Sequence, residues 1–179
     1  MKLIRQISLM LALGLCAQHA FADGDSATIS FKGSIRVPPC TVNQVQPVNL
    51  GTDIPMSTFN QKGAMSTPVA FDVSMTCPAG YTTVSYQLDP AGGSRVVDEK
   101  GGVMSLSNTD GASGVGVKVM DAASNAAIPL SEKNAISQYD PNKFDQPIDL
   151  KFVAAYIQTD ANVKGGEADA QATFTLSYE

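Results

Sequence analysis

The sequence predicts an all-β fold, a sandwich of two antiparallel sheets of the immunoglobulin-like kind, and three observations favour it. Apolar and polar residues alternate with a period of two in several segments, as on strands with one buried and one solvated face. Helical periodicity is nearly absent. Gly, Pro, Asn and Asp turn signals separate the alternating segments at short intervals, which is typical of sandwiches built from many short strands.

The first 22 residues predict a secretory signal peptide. Lys2 and Arg5 precede an apolar run over 7–17, and an A-x-A cleavage site follows at 20–22. The apolar run is too short to span a bilayer. Cleavage would leave about 157 residues, a length that suits one domain, with 10 basic and 17 acidic residues once Lys2 and Arg5 are removed. The resulting net charge of −7 is a poor match for nucleic acid or anionic lipid.

The predicted strands follow one another between polar, glycine-rich loops. In the first strand, Pro38-Pro39 ends the run because neither proline can donate to a ladder. A short helical turn is predicted over 54–59 or 131–136. The predicted strands are 27–37, 40–45, 47–50, 68–77, 81–88, 103–107, 114–121, 147–158 and 170–178, and the loops are 89–102, 108–114 and 162–169.

Two cysteines remain after the predicted cleavage, because Cys16 leaves with the signal peptide. Cys40 and Cys77 in an exported chain imply one disulfide. The bridge would close a loop of about 37 residues. Closing a loop of this length contributes about 4 kcal/mol to stability in the chain-entropy model. The spacing is far too wide for a C-x-x-C redox motif.

The residue inventory argues against an enzyme. The one histidine, His19, lies in the predicted signal peptide, which removes Ser-His and Cys-His pairs and the commonest zinc ligand. The glycine-rich stretch 111–116 lacks the lysine of a phosphate-binding loop. We therefore expect no cofactor, no metal and no small-molecule substrate, although a carboxylate-dependent hydrolase stays open as an alternative.

Four segments in order carry a family resemblance: ISFKGSI, PVAFDVSMTC, GVGVKVMD and ADAQATFTLSYE. Together they resemble the pilin subunits that Gram-negative bacteria assemble through the chaperone–usher pathway, including the type 1 and P pilus families. The ending is the most specific part, since those pilins have a penultimate aromatic residue, alternating apolar residues before it and a glycine fourteenth from the end. The matching residues here are Tyr178, Leu176, Phe174, Ala172 and Gly166.

The resemblance implies an incomplete immunoglobulin-like sandwich that lacks its final strand and is completed by donor-strand exchange. A periplasmic chaperone first lends a strand, and at the outer-membrane usher the N-terminal extension of the next subunit replaces it. The implied division is a signal peptide over 1–22, a donor-strand extension over 23–36 and a pilin domain over 37–179. The donor residues would be Ala27, Ile29, Phe31, Gly33 and Ile35, and the partner-binding residues Gly166, Ala172, Phe174, Leu176, Tyr178 and Glu179.

The implied function is that of a structural subunit of a surface fimbria that supports adhesion and is exported through the periplasm. Its partners would be the chaperone, which anchors the carboxylate of Glu179, the usher and neighbouring pilins. Two alternatives stay open: a minor tip or adaptor subunit with weak receptor binding, and an unrelated secreted β-sandwich. A tip adhesin with its own lectin domain is disfavoured, because only residues 23–39 precede the first cysteine of the mature chain.

Overall fold

The structure is a computed structural model, and it describes residues 27–179. The predicted signal peptide lies outside the described residues. The chain divides into two compact units, one ending at Ile35 and the other spanning Arg36–Glu179. In the first unit, residues 27–35 are exposed and have no regular secondary structure. The prediction of a strand over 27–37 is therefore wrong for the isolated chain, because a β-strand forms only when its backbone hydrogen-bonds to a neighbouring strand.

The second unit is built from strands and one short helix, which confirms the predicted all-β class. Residues that alternate in polarity along the sequence supply most of the strand length. The elements are β1 (Thr41–Val42), a 3₁₀-helix (Met56–Thr58), β2 (Val69–Cys77), β3 (Val84–Ala91), β4 (Val96–Asp98), β5 (Val103–Ser105), β6 (Val115–Asp121), β7 (Asn134–Ala135), β8 (Gln146–Gln158) and β9 (Gln171–Tyr178).

The strands form two sheets. The larger sheet has the order β1-β2-β8-β6-β5-β4 and the smaller has the order β7-β3-β9. Every paired strand runs antiparallel to its neighbour. Residues of both sheets contribute to one buried apolar cluster, so the core lies between them as in a sandwich.

The alternation in β2 and β8 shows how the sequence sets the register. Val73 pairs with Leu150, and both are buried, whereas the neighbouring pair of Asp72 and Lys151 is exposed. A slip of one residue would place this charged pair in the core, so the hydrophobic pattern fixes the pairing. Leu130, which lies in a loop, is also fully buried in the cluster.

Some local predictions fail. The predicted strand 40–45 shrinks to β1, and 47–50 forms no strand. Strand β4 lies inside the predicted loop 89–102, where Val96 and Asp98 pair with β5 and the register shifts between them. A helical turn is present within 54–59, as the 3₁₀-helix, whereas 131–136 contains β7. The short elements were missed because two or three residues carry no readable periodicity.

The predicted disulfide is present between Cys40 and Cys77. It joins the residue before β1 to the last residue of β2, and both cysteines are buried. Among residues 27–179, no helix is long and apolar enough to cross a membrane.

Replacing Cys40 and Cys77 together with alanine should lower the free energy of unfolding by about 2–4 kcal/mol, because the 37-residue loop is then open in the unfolded chain. Urea unfolding followed by circular dichroism measures this change. Wild-type protein reduced with dithiothreitol serves as the control and should lose a similar amount. An unchanged unfolding midpoint in both samples would contradict the stabilising role of the bridge.

Candidate functional site

Strand β9 is paired along one edge within the described part of the chain. It runs antiparallel to β3, from Val84 opposite Tyr178 to Ala91 opposite Gln171. The order β7-β3-β9 places it at the end of its sheet, so its second edge has no strand partner there. An open edge of this kind presents backbone N–H and C=O groups to which another strand can pair.

The apolar face of β9 is half-buried against the core. Phe174, Leu176 and Tyr178 pack on the buried cluster but keep part of their surface in solvent. The ring of Phe174 stacks on Tyr86 at a centroid distance of 5.4 Å, and Tyr86 meets the edge of Phe152 at 5.7 Å. The open edge is therefore bordered by a continuous apolar surface that reaches into the core.

The environment of Tyr86 reports how dry this surface is. Burial, with a smaller contribution from the negative charge of Asp121, raises the pKa of Tyr86 to about 12. Tyr86 is only 6% exposed, and its ring packs against Phe152 and Phe174. The floor beneath Phe174 is thus core-like.

A cavity of about 770 Å³ lies at the N-terminal end of β9. One wall is the segment 48–54 with the 3₁₀-helix, and the facing wall is the segment 163–169 that leads into β9. A volume of this size accommodates several large side chains or a small ligand. The large apolar residues that line it are Val48, Leu50, Ile54, Met56, Phe59, Val115, Tyr156 and Val163.

The cavity has an acidic rim. Asp53, Glu167 and Asp169 line it together with one basic residue, Lys164, and all four side chains are exposed. Burial raises the pKa of Tyr156, and the charge of Asp169 adds to that effect. Asp169 and Tyr156 both line the cavity, so this carboxylate borders the same space as the phenol.

Gly166 is required by a close approach of two backbone segments. A Cβ built at Gly166 would lie 2.7 Å from the amide nitrogen of Ala112 and 2.7 Å from the carbonyl carbon of Gly111. Backbone atoms cannot move aside as a flexible side chain can. The glycine that the sequence analysis singled out therefore holds a wall of the cavity against the loop at 111–112.

Tyr178 ties the end of β9 to the root of the N-terminal segment. Its hydroxyl accepts a hydrogen bond from the backbone N–H of Cys40 at 3.1 Å, and its ring stacks on Tyr81 at 4.6 Å. The hydroxyl of Tyr81 donates to the carbonyl oxygen of Val37 at 3.0 Å. These contacts fix the chain from Val37 to Cys40, directly after the donor segment proposed from the sequence.

The main chain of Glu179 is hydrogen-bonded to the loop that precedes β3. Its main-chain oxygen accepts hydrogen bonds from the N–H groups of Thr82 and Thr83, and its own N–H donates to the carbonyl oxygen of Thr83. Its side chain pairs with Lys133 at 3.2 Å, but both side chains are more than half exposed. This surface ion pair contributes little to stability.

The predicted donor residues are strongly exposed. Relative exposure is 75% for Ile29, 91% for Phe31 and 102% for Ile35. An isolated soluble chain rarely presents three large apolar side chains so close together without a partner for them. The structure thus places the predicted C-terminal residues around an open apolar edge and the predicted donor residues in solvent.

Sequence reasoning missed most of the cavity lining. The segment that supplies Leu50, Ile54, Met56 and Phe59 was read as a short strand followed by a helical turn. The sequence signal for this wall was a set of apolar residues in a stretch without strand alternation. That signal does not indicate that the segment 163–169 forms the facing wall. Within residues 27–179, no three His, Cys, Asp or Glu residues are grouped as metal ligands.

Comparisons with known proteins add independent findings. The sequence profile of the family described as Fimbrial protein matches residues 29–179. The chain is 32% identical to the Uncharacterized fimbrial-like protein SfmA of Escherichia coli, over 98% of this chain and 99% of that protein.

Two solved structures have a similar fold. The P pilus rod subunit PapA superposes with a TM-score of 0.58 at 16% identity, covering 86% of this chain and 100% of that one. The CupB6 tip adhesin of Pseudomonas aeruginosa gives a TM-score of 0.60 at 24% identity, covering 79% of this chain and 38% of the adhesin.

Replacing Gly166 with alanine should lower the free energy of unfolding by about 1–3 kcal/mol, because the new methyl group must displace backbone atoms. The adjacent Gly165 is the matched control, since a Cβ there meets only the sulfur of Met56 at 3.6 Å, an ordinary contact. Gly165→Ala should change stability by no more than about 0.5 kcal/mol. Equal urea midpoints for the two variants would contradict the close-approach argument.

Proposed function

Since the chain belongs to the fimbrial protein family and is a pilus subunit, we propose that it polymerises into a surface fimbria by donor-strand exchange along the chaperone–usher pathway. In this proposal the open edge of β9 accepts a strand from another subunit. The segment 27–35 of each subunit serves as the donor for the next.

One observation carries the proposal. The same chain has an apolar edge without a strand partner among its described residues and a separate exposed segment with matching alternation. Strand addition would satisfy both, because backbone ladder bonds give affinity and alternating side chains give fit. Left bare, the edge and the exposed apolar row would both favour aggregation.

The energy scale supports a durable polymer. Burying Ile29, Phe31 and Ile35 in a neighbour would contribute about 5–9 kcal/mol at about 1.5–3 kcal/mol for each side chain. Ladder hydrogen bonds add to that figure. Slow dissociation of subunits is expected from such a buried row, since affinity differences appear mainly in the off-rate.

The alternation restricts how the donor can lie. An added strand that continues the antiparallel order of this fold places directly opposed residues on the same face. The apolar donor residues have odd numbers and the inward residues of β9 and of the segment before it have even numbers, so several registers share this parity. We propose the two that keep the row from Ala27 to Ile35 opposite this strand and bring Ile35 to the cavity, with Ile35 opposite Ala168 or Ala170. Both registers bring Ile35 to the end of β9 where the cavity lies.

Gly33 is the one position in the donor row without a side chain. In the two registers it lies opposite Ala170 or Ala172. We interpret it as the point where the donor backbone approaches the groove floor, so that a large side chain there would hold the strand away. This close approach is part of the proposal.

The remaining parts of the proposal follow from the family. A periplasmic chaperone would cover the open edge before assembly, and an outer-membrane usher would exchange the chaperone's strand for the next subunit's donor. The chain would then pass through the periplasm to the surface. A structural role of this kind needs no catalytic group, so we propose that the protein is not an enzyme.

Of the alternatives to a fimbrial shaft subunit, one is rejected and one is kept. An unrelated secreted β-sandwich is wrong, because the family profile spans residues 29–179. A minor or adaptor position in the fibre stays a second proposal. The structural likeness to a tip adhesin covers 38% of that protein and shows the shared fold.

Replacing Gly33 with leucine should abolish fibre formation while leaving the subunit folded. Within the part of the chain that the structure describes, a Cβ at Gly33 meets no heavy atom within 4 Å, so the new side chain adds no clash inside the subunit. Ser34→Leu is the matched control, because the same leucine would then point away from the groove. Electron microscopy of fibres and circular dichroism of monomers measure the two properties. Normal fibres from Gly33→Leu would refute the proposed fit.

A further inference from the structure

The charges near the proposed donor and near the cavity are opposite in sign. Arg36 follows Ile35 directly and is exposed. The cavity at the end of β9 is lined by three carboxylates, Asp53, Glu167 and Asp169, against one ammonium group, Lys164. The excess negative charge lies at the end of the groove that Ile35 would reach.

In both of the proposed registers, Arg36 lies against this rim. If Ile35 lies opposite Ala168, Arg36 lies opposite Glu167. If Ile35 lies opposite Ala170, Arg36 lies opposite Asp169. Directly opposed residues in an antiparallel pair have Cβ atoms about 4.5–5.5 Å apart, which is within reach of an arginine–carboxylate contact. The two proposed registers therefore give the same sign of pairing.

The other basic residue of the donor segment provides a contrast. Lys32 lies on the same polar face as Arg36 and is also exposed. In the two registers it would lie opposite Gln171 or Thr173, neither of which is charged. A general attraction between a basic strand and an acidic protein would involve Lys32 and Arg36 alike, whereas a specific contact would involve Arg36 alone.

We propose that pairing of Arg36 with Glu167 or Asp169 at the cavity rim selects which donor segment docks, and so favours the donor of a second copy of this same chain. This inference rests on the proposed strand exchange and adds the residues that select the donor. Opposed charges at a partly exposed rim act mainly on the rate of docking and on the choice of partner. The apolar row supplies most of the affinity once the strand is seated.

Peptide association tests the proposal. The mature chain is refolded by dilution from urea, which adds no salt, into an excess of fluorescein-labelled synthetic peptide of residues 25–37, and fluorescence anisotropy follows binding. Peptides carrying Arg36→Glu or Lys32→Glu have the same net charge, so they differ only in where the charge is reversed. Because the changes are in the peptide, they cannot disturb the folding of the subunit.

We expect the Arg36→Glu peptide to associate about fivefold to tenfold more slowly than the Lys32→Glu peptide at about 20 mM salt. The difference should vanish near about 1 M salt, where the screening length is about 3 Å. A subunit with Glu167→Lys and Asp169→Lys should restore fast binding of the Arg36→Glu peptide and slow the wild-type peptide. Both rim residues are exposed, so the subunit should tolerate these changes.

The outcomes separate the two proposals. Equal rates for the two variant peptides, with normal binding of the wild-type peptide, would overturn the charge pairing and leave strand addition standing. Failure of the wild-type peptide to bind at all would contradict strand addition itself.

Discussion

An unpaired strand edge beside an apolar surface is the constraint on which the rest of this structure depends. Strand β9 forms backbone hydrogen bonds with β3 along one edge. Within residues 27–179, its other edge has no strand partner. The side chains of Phe174, Leu176 and Tyr178 pack on the core but are only half-buried, so apolar surface is exposed at that edge. Such a surface is costly to leave in water, which is why a neighbouring polypeptide is the physically reasonable way to complete it.

The rest of the subunit keeps that edge in a fixed geometry. The disulfide between Cys40 and Cys77 fixes the chain before β1 to the end of β2. The hydroxyl of Tyr178 binds the N–H of Cys40, and Tyr81 holds the carbonyl oxygen of Val37. The root of the proposed donor and the end of the accepting strand are thus held in one rigid region, while residues 27–35 are exposed.

Much of the fold could be predicted because strand alternation is visible in the sequence. Strands β2, β6, β8 and β9 alternate over seven or more residues, and each was predicted to within about three residues at its ends. Strand β4 and strand β7 have two or three residues, too few to show a period. The segment 27–35 alternates as a strand does, yet it forms none alone, because alternation reports a buried face and cannot say which molecule buries it.

The site was only partly predictable for a related reason. Gly166 and the apolar residues of β9 could be identified from the resemblance, but the resemblance gives no geometry. The cavity joins residues near 50 with residues near 166, and only folding brings those two segments together. The close approach of Gly166 to Gly111 likewise depends on two loops distant in sequence.

Hydrogen exchange measured on the subunit before and after polymerisation tests the central claim most directly. Amides of residues 27–35 should exchange rapidly in the monomer and slowly in the fibre, since they then form a ladder with a neighbour. Amides of β9 should gain protection in the same sample. A fibre in which residues 27–35 still exchange as fast as in the monomer would contradict the account, because the subunits would then be joined by some other surface.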